Sequence, residues 1–146
     1  MKPVEKLSLL FAASEAAPFA KEGGLGDVVG ALPKYLARLG HDVRVVIPRY
    51  YSVNLDKFGL RLLPGNLVVP MGIIGHMYCG VYEGRLPGSD VPIYFLEHEQ
   101  FYGRAGLYQQ DGQGYLDNDN RFVFLSKANH ETALDECPHF RLFCCI

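Results

Sequence analysis

Between positions 14 and 27 the chain reads Ser14-Glu15-Ala16-Ala17-Pro18-Phe19-Ala20-Lys21-Glu22-Gly23-Gly24-Leu25-Gly26-Asp27, a segment with three glycines, one cation and two carboxylates ahead of its closing Asp27. Glycines let backbone N–H groups approach an anion with no Cβ in the way, and a helix start adds partial positive charge. Lys21 supplies a full charge beside them. Such a segment suits a phosphate or pyrophosphate.

The order of residues narrows the chemistry. A Walker loop needs GxxxxGK[ST], and here the lysine precedes the glycines, which disfavours phosphate cleavage on the nucleoside-triphosphatase plan. A dinucleotide fingerprint begins well at Gly24-Leu25-Gly26, but Val29 stands where Gly or Ala is expected and Pro48-Arg49 offers no acidic residue to a ribose. A structural reading also stands, in which Gly23, Gly24 and Gly26 only build a tight turn and Lys21 is solvated.

The elements that must carry this loop follow from hydrophobic patterning. Lys6 to Ala13 is a continuous apolar run after its first residue, as in a parallel strand covered on both faces. Val28, Leu32, Tyr35, Leu36 and Leu39 recur at helical spacing, with Asp27 near the start and Gly40 as a terminal cap, predicting a helix over about 26–39. Pro33 removes a donor and should kink or restart it. Val43 to Ile47 is a second strand ended by Pro48, giving a βαβ unit with the usual right-handed crossover. Leu67 to Val69, Ile73 to Tyr82 and Val91 to Leu96 read as strands between turns, a hairpin feeding a further sheet strand. The fold class is α/β with a Rossmann-like parallel sheet.

From Glu97 to Asn120 the chain is polar, aromatic and glycine-rich, with Tyr102, Tyr108 and Tyr115 along it, too long for an idle connection. A helix is expected from about 117–120 through Phe122, Phe124 and Leu125. Asp117-Asn118-Asp119 has the shape of a metal-binding carboxylate pair, but it opens that helix and is assigned to capping.

At 146 residues the chain can bury one ordinary core, and 14 basic against 16 acidic residues provide no polyanion-binding field, so no nucleic-acid partner is expected. No apolar stretch approaches the ~20 residues of a membrane helix, and the short apolar start lacks the features of an export signal. Cys79, Cys137, Cys144 and Cys145, with His130 and His139, match no usual zinc spacing; reduced thiols, no metal and a cytoplasmic setting are expected.

The segment SEAAPFAKEGGLGDVVGALPKYLARLGHDVRVVIPRY resembles the opening of bacterial glycogen and plant starch synthases, whose signature is KxGGLxDV after a Ser-Glu strand end. Lys21, Gly23, Gly24, Leu25, Asp27 and Val28 carry the match, followed by Gly30 to Pro33, Gly40-His41 and Val45 to Pro48. It continues more loosely through Val91 to Leu96, Phe101 to Arg104 and Asp119 to Phe122. The resemblance implies the N-terminal part of a two-domain GT-B-type hexosyltransferase. Such enzymes bind ADP-glucose mainly on the second domain and extend the non-reducing end of an α-1,4-glucan with retention, using no metal or cofactor. It further implies that Glu15 and Lys21 are catalytic, that Lys21, Gly23 and Gly24 face the diphosphate, that Asp27 supports the loop at the substrate, that Glu15 lies near the sugar or acceptor, and that Tyr108 is a sugar contact.

Two departures stand out. Gly26 replaces a common Ala, expected to loosen the helix start by up to ~1 kcal/mol. After Ala128 the pattern fades, Trp is absent, and the sequence ends in an apolar, thiol-rich tail. The expectation is therefore a partial synthase domain over 1–128, individually inactive, and a divergent tail over 129–146 from truncation or frameshift. Alternatives are a non-catalytic glucan-binding or interaction module using the tail from Phe140 to Ile146, or a dinucleotide-binding oxidoreductase domain.

Overall fold

The computed structural model describes residues 5–136 and 141–144; the tail cysteines Cys137 and Cys145 and His139 lie outside them. Strand β1 (Ser8–Ala12), helix α1 (Gly24–Arg38) and strand β2 (Asp42–Pro48) form the expected βαβ unit, with β1 and β2 parallel and in register from Ser8↔Asp42 to Ala12↔Val46. Short β3 (Arg61–Leu62) and the hairpin of β4 (Leu67–Pro70) and β5 (His76–Arg85) follow, then β6 (Pro92–Glu97). Helix α2 (Glu99–Tyr102), a small β7 (Gln109–Gln110) and β8 (Gln113–Gly114) ribbon, α3 (Asn118–Glu136) and β9 (Arg141–Cys144) complete the order.

The main sheet runs β3-β5-β6-β2-β1-β9, with β4 also paired to β5. Its centre, β6-β2-β1-β9, is parallel, while β5 is antiparallel to β6. The expected α/β, largely parallel layer is thus present. Leu10, Val45, Val46, Ile47, Ile93, Phe95 and Leu96 are fully buried, as strands covered on both faces require. The stretch expected as a single strand from Ile73 is instead a 3₁₀ turn at Gly72–Ile74 and then β5, with Gly72 and Gly75 at φ +67° and +90°. Those backbone angles favour glycine and turn the chain between β4 and β5.

Helix α1 departs from the sequence reading at Pro33, where no restart occurs. It runs unbroken through a buried Pro33. Four residues of its apolar stripe face outward, Val28, Leu32, Tyr35 and Leu39 being 49, 40, 62 and 71% exposed, while Leu36 packs partly buried against the core and Gly26, Val29, Gly30 and Pro33 are buried. Close approach explains the orientation, because a Cβ on Gly30 would stand 2.6 Å from the Ala17 carbonyl oxygen. A residue without a side chain must therefore face the loop at position 30, and Val28, Leu32, Tyr35 and Leu39 fall on the opposite side.

Candidate functional site

The carboxyl ends of β1, β2 and β6 converge, the edge at which open α/β sheets bind ligands. Ala13 N–H donates to Val46 O (3.0 Å), Arg49 N–H to Leu96 O (2.8 Å) and Tyr51 N–H to Tyr102 O (3.0 Å), fastening the three exits together. The chain leaving β1 makes a tight fold in which Ala16 and Ala20 exchange backbone hydrogen bonds and the Ala17–Pro18 peptide is cis. Phe19 anchors this fold from beneath, its ring 4.5 Å from Phe58 and 5.0 Å from Phe95.

Above that anchor the glycine-rich segment wraps around Glu15. This carboxylate is 5% exposed, and its Oε2 accepts the N–H groups of Glu22 (2.6 Å) and Gly23 (3.1 Å). Gly23 is the N-cap of α1, with no side chain capping the helix. Its own N–H is committed to Glu15, so the donors that α1 presents outward begin at Gly24, the first turn of any helix having no intrahelical partners for its N–H groups. Lys21 lies beside them and pairs with Asp27 at 2.8 Å, both side chains partly exposed. A Cβ on Gly26 would come within 2.8 Å of Lys21 Cγ and 3.2 Å of Glu15 Oε2. Glycine there leaves room for Lys21, which sets its low helix propensity against a steric gain.

Tyr108 reaches the same carboxylate from the long loop after β6. Its hydroxyl donates to Glu15 Oε1 (3.2 Å) and shares a hydrogen bond with Ser14 Oγ (2.7 Å). Burial pushes this phenol up to about 12, with the neighbouring Glu15 charge acting in the same direction. Tyr50 donates to Ser14 O at 2.7 Å, and burial raises its pKa as well. The structure therefore brings Glu15, Lys21, Gly23, Gly24, Asp27 and Tyr108 to one loop cluster.

Sequence reasoning missed what holds the long loop. Arg104 forks onto Asp117, with Nη1–Oδ1 at 2.6 Å and Nη2–Oδ2 at 2.5 Å, and also donates to Gln100 O from Nε and Nη2. This hydrogen-bonded pairing holds the Asp117 carboxyl below its ordinary range. The role assigned to Asp117 is thus only half met: its backbone carbonyl accepts Arg121 N–H (3.0 Å) at the start of α3, while its carboxylate serves Arg104. Arg121, 1% exposed, donates from Nε to Phe101 O and from Nη1 to Asn118 Oδ1, each at 2.7 Å. Its guanidinium lies 4.8 Å from the Tyr115 ring centroid. The available signal was the spacing of Asp117, Asn118 and Arg121, which puts them one helical turn apart.

Among the described residues no group of three His, Cys, Asp or Glu is placed to hold a metal ion. Cys79 is buried and its thiol is pushed up to about 12 by that burial. No helix among the described residues is long and apolar enough to cross a membrane.

Residues 8–142 match the model of the starch synthase catalytic domain. The chain is 70% identical over 125 residues to glycogen synthase 1 of Geobacter metallireducens, covering 86% of this chain and 25% of that protein. It is 68% identical over 126 residues to glycogen synthase 1 of Geobacter sulfurreducens, again 86% and 25%. Among solved structures, the catalytic domain of starch synthase IV from Arabidopsis thaliana bound to ADP and acarbose superimposes with TM-score 0.79 at 30% identity, over 96% of this chain and 28% of that one. The chain thus spans about a quarter of the length of these curated relatives. With a parallel α/β sheet, a lysine-glycine loop at its carboxyl edge and a family match over nearly its whole length, the chain belongs to the starch synthase catalytic domain family.

Proposed function

We propose that this chain forms the wall of a glucosyltransferase cleft that faces the diphosphate of ADP-glucose. The complete protein, a cytoplasmic enzyme in this reading, transfers glucose to the non-reducing end of an α-1,4-glucan with retention. The observation that carries the reading is Lys21 standing at the uncapped start of α1, above the carboxyl end of β1. In the reaction the bond between the anomeric carbon and the diphosphate oxygen breaks, its electron pair leaving with ADP, and the glucan hydroxyl forms the new bond and loses its proton. Negative charge grows on the leaving diphosphate. Backbone donors from Gly24 onward and the Lys21 ammonium, exchanging Asp27 for phosphate, stabilise that charge in the transition state. Glu15 keeps the loop closed around these donors, Gly23 gives up its N–H to that clasp, and Tyr108 presents its ring and hydroxyl toward the sugar.

The test is transfer of labelled glucose from ADP-glucose to glycogen by a complete protein carrying this segment. Lys21→Met is expected to lower turnover by about a hundredfold, the scale of removing one transition-state donor. Unchanged turnover would sink the assignment. The 146-residue chain alone is expected to transfer none, because about three quarters of the length of its relatives lies outside the match.

A further inference from the structure

An arginine that is 1% exposed, has no carboxylate bonded to it and sits outside the glycine loop calls for an account. Burying a guanidinium is costly unless its donors are used, and Arg121 Nη2 has no partner among the described residues. What the cation contacts supplies the account. Its Nη1 holds Asn118 Oδ1, which orients the Asn118 amide so that Nδ2 donates to Tyr108 O at 2.9 Å. The N–H of Tyr115, whose ring lies under the same guanidinium, donates to that carbonyl as well (3.2 Å). Tyr108 is thereby fixed at its backbone, and its hydroxyl fixes Glu15, whose other oxygen holds the Glu22 and Gly23 amides.

A second route starts from the same residue. Tyr102 donates its hydroxyl to Arg121 O (3.0 Å), packs edge-on against Tyr50 with ring centroids 5.7 Å apart, and Tyr50 donates to Ser14 O. Both routes converge on Ser14-Glu15. Hydrogen bonds in such a series act through orientation: each group can point correctly only if the one before it does.

We propose that Arg121 is a positioning residue for the diphosphate-facing loop, acting through Asn118 and Tyr108 on Glu15 and so on the amides of Glu22 and Gly23. The idea rests on the function proposed above for its catalytic consequence, but the relay is physical and can be read without turnover. Arg121 touches neither the loop nor the space in front of it; it sets the geometry of groups that do.

The measurement is residue-resolved amide hydrogen exchange on the 146-residue chain and on Arg121→Met, Arg121→Lys and Asn118→Ala. Methionine keeps an unbranched apolar stem as far as the Nε position while removing every donor, and apolar replacements of buried ions often fold well. Exchange at Glu22 and Gly23 is expected to quicken about tenfold in Arg121→Met and in Asn118→Ala, with lysine intermediate because it keeps the charge and one donor nitrogen in place of three. Amides in the β2–β6 ladder, such as Phe95, should stay within about twofold. Loop exchange that is unchanged, or that rises by the same factor as the ladder, overturns the relay, since the second pattern is a general loss of stability. Should Arg121→Met fail to fold, Asn118→Ala, at a partly exposed position, decides the matter alone. In a complete protein the same variants should lower kcat more than they raise the KM for ADP-glucose, since the loop's donors act on charge that grows in the transition state. A localised exchange effect with no kinetic counterpart would count against the proposed function and leave the relay standing.

Discussion

The loop after β1 and the loop after β6 leave the same edge of the sheet, yet they are held by opposite chemistry. The first is rich in glycine and opens a helix, so it has N–H donors in surplus, and a buried carboxylate, Glu15, gathers two of them. The second closes a four-residue helix and has carbonyls in surplus, and two arginines gather them: Arg104 on Gln100 O and Arg121 on Phe101 O. An irregular segment thus recruits the ion whose charge is opposite to the partial charge of its unpaired backbone groups. Tyr108 joins the two systems, anchored by its carbonyl in the cationic loop and by its hydroxyl in the anionic one.

The sharpest way to break this contrast is Glu15→Ala, which strands two amides and is expected to cost about 3 kcal/mol in urea unfolding. Glu15→Gln, keeping one acceptor oxygen, should cost about half as much. A loss under about 1 kcal/mol for the alanine variant would mean that the carboxylate does not organise its loop.

Next in size is a pair of glycines. Gly30→Ala pushes a methyl against the Ala17 carbonyl and should cost about 2 kcal/mol. Gly24→Ala meets nothing within 4 Å and should be neutral or stabilising by up to about 1 kcal/mol. Equal melting temperatures for the two would remove close packing as the reason for α1's orientation.

For the cationic loop, Asp117→Asn is expected to cost about 1 kcal/mol at neutral pH. Since Arg104 depresses the folded-state pKa of Asp117, its contribution is complete above the ordinary value of 3.8 and fades as pH falls below that value and the folded carboxylate takes up its proton. The two proteins should therefore converge in stability in acid; a gap that persists there would assign the effect to packing. Smallest is the Lys21–Asp27 pair, both partners well exposed, where Asp27→Asn should change unfolding free energy by about 0.5 kcal/mol or less.

Much of the fold was legible because β1, β2 and β6 are apolar runs of the right length, and a glycine-rich exit from β1 has few other meanings. Orientation of α1 was not legible. Periodicity finds a stripe, but both faces of this helix carry one, and the decision was made by a carbonyl that a Cβ at position 30 could not avoid. The loop cluster was legible as residues and not as contacts: Lys21 and Asp27 sit within two helical turns in sequence, whereas Tyr108 meets Glu15 across 93 positions. Arginines 104 and 121 were only partly readable: spacing alone marks Asn118 as a partner of Arg121, and Asp117 lies 13 positions from Arg104. Their remaining partners, the carbonyls of Gln100 and Phe101, are groups that every residue has and no sequence pattern marks.

The outward row of Val28, Leu32, Tyr35 and Leu39 also governs how the chain behaves in concentrated solution. An oily ridge three turns long, on a molecule of net charge −2, meets little electrostatic resistance to a second ridge. Sulfate, which strengthens apolar association, should promote clustering of the chain, and urea well below the unfolding range should disperse it. Replacing Leu32 and Tyr35 by glutamate would raise the solubility limit while leaving the loop, the sheet and the relay untouched.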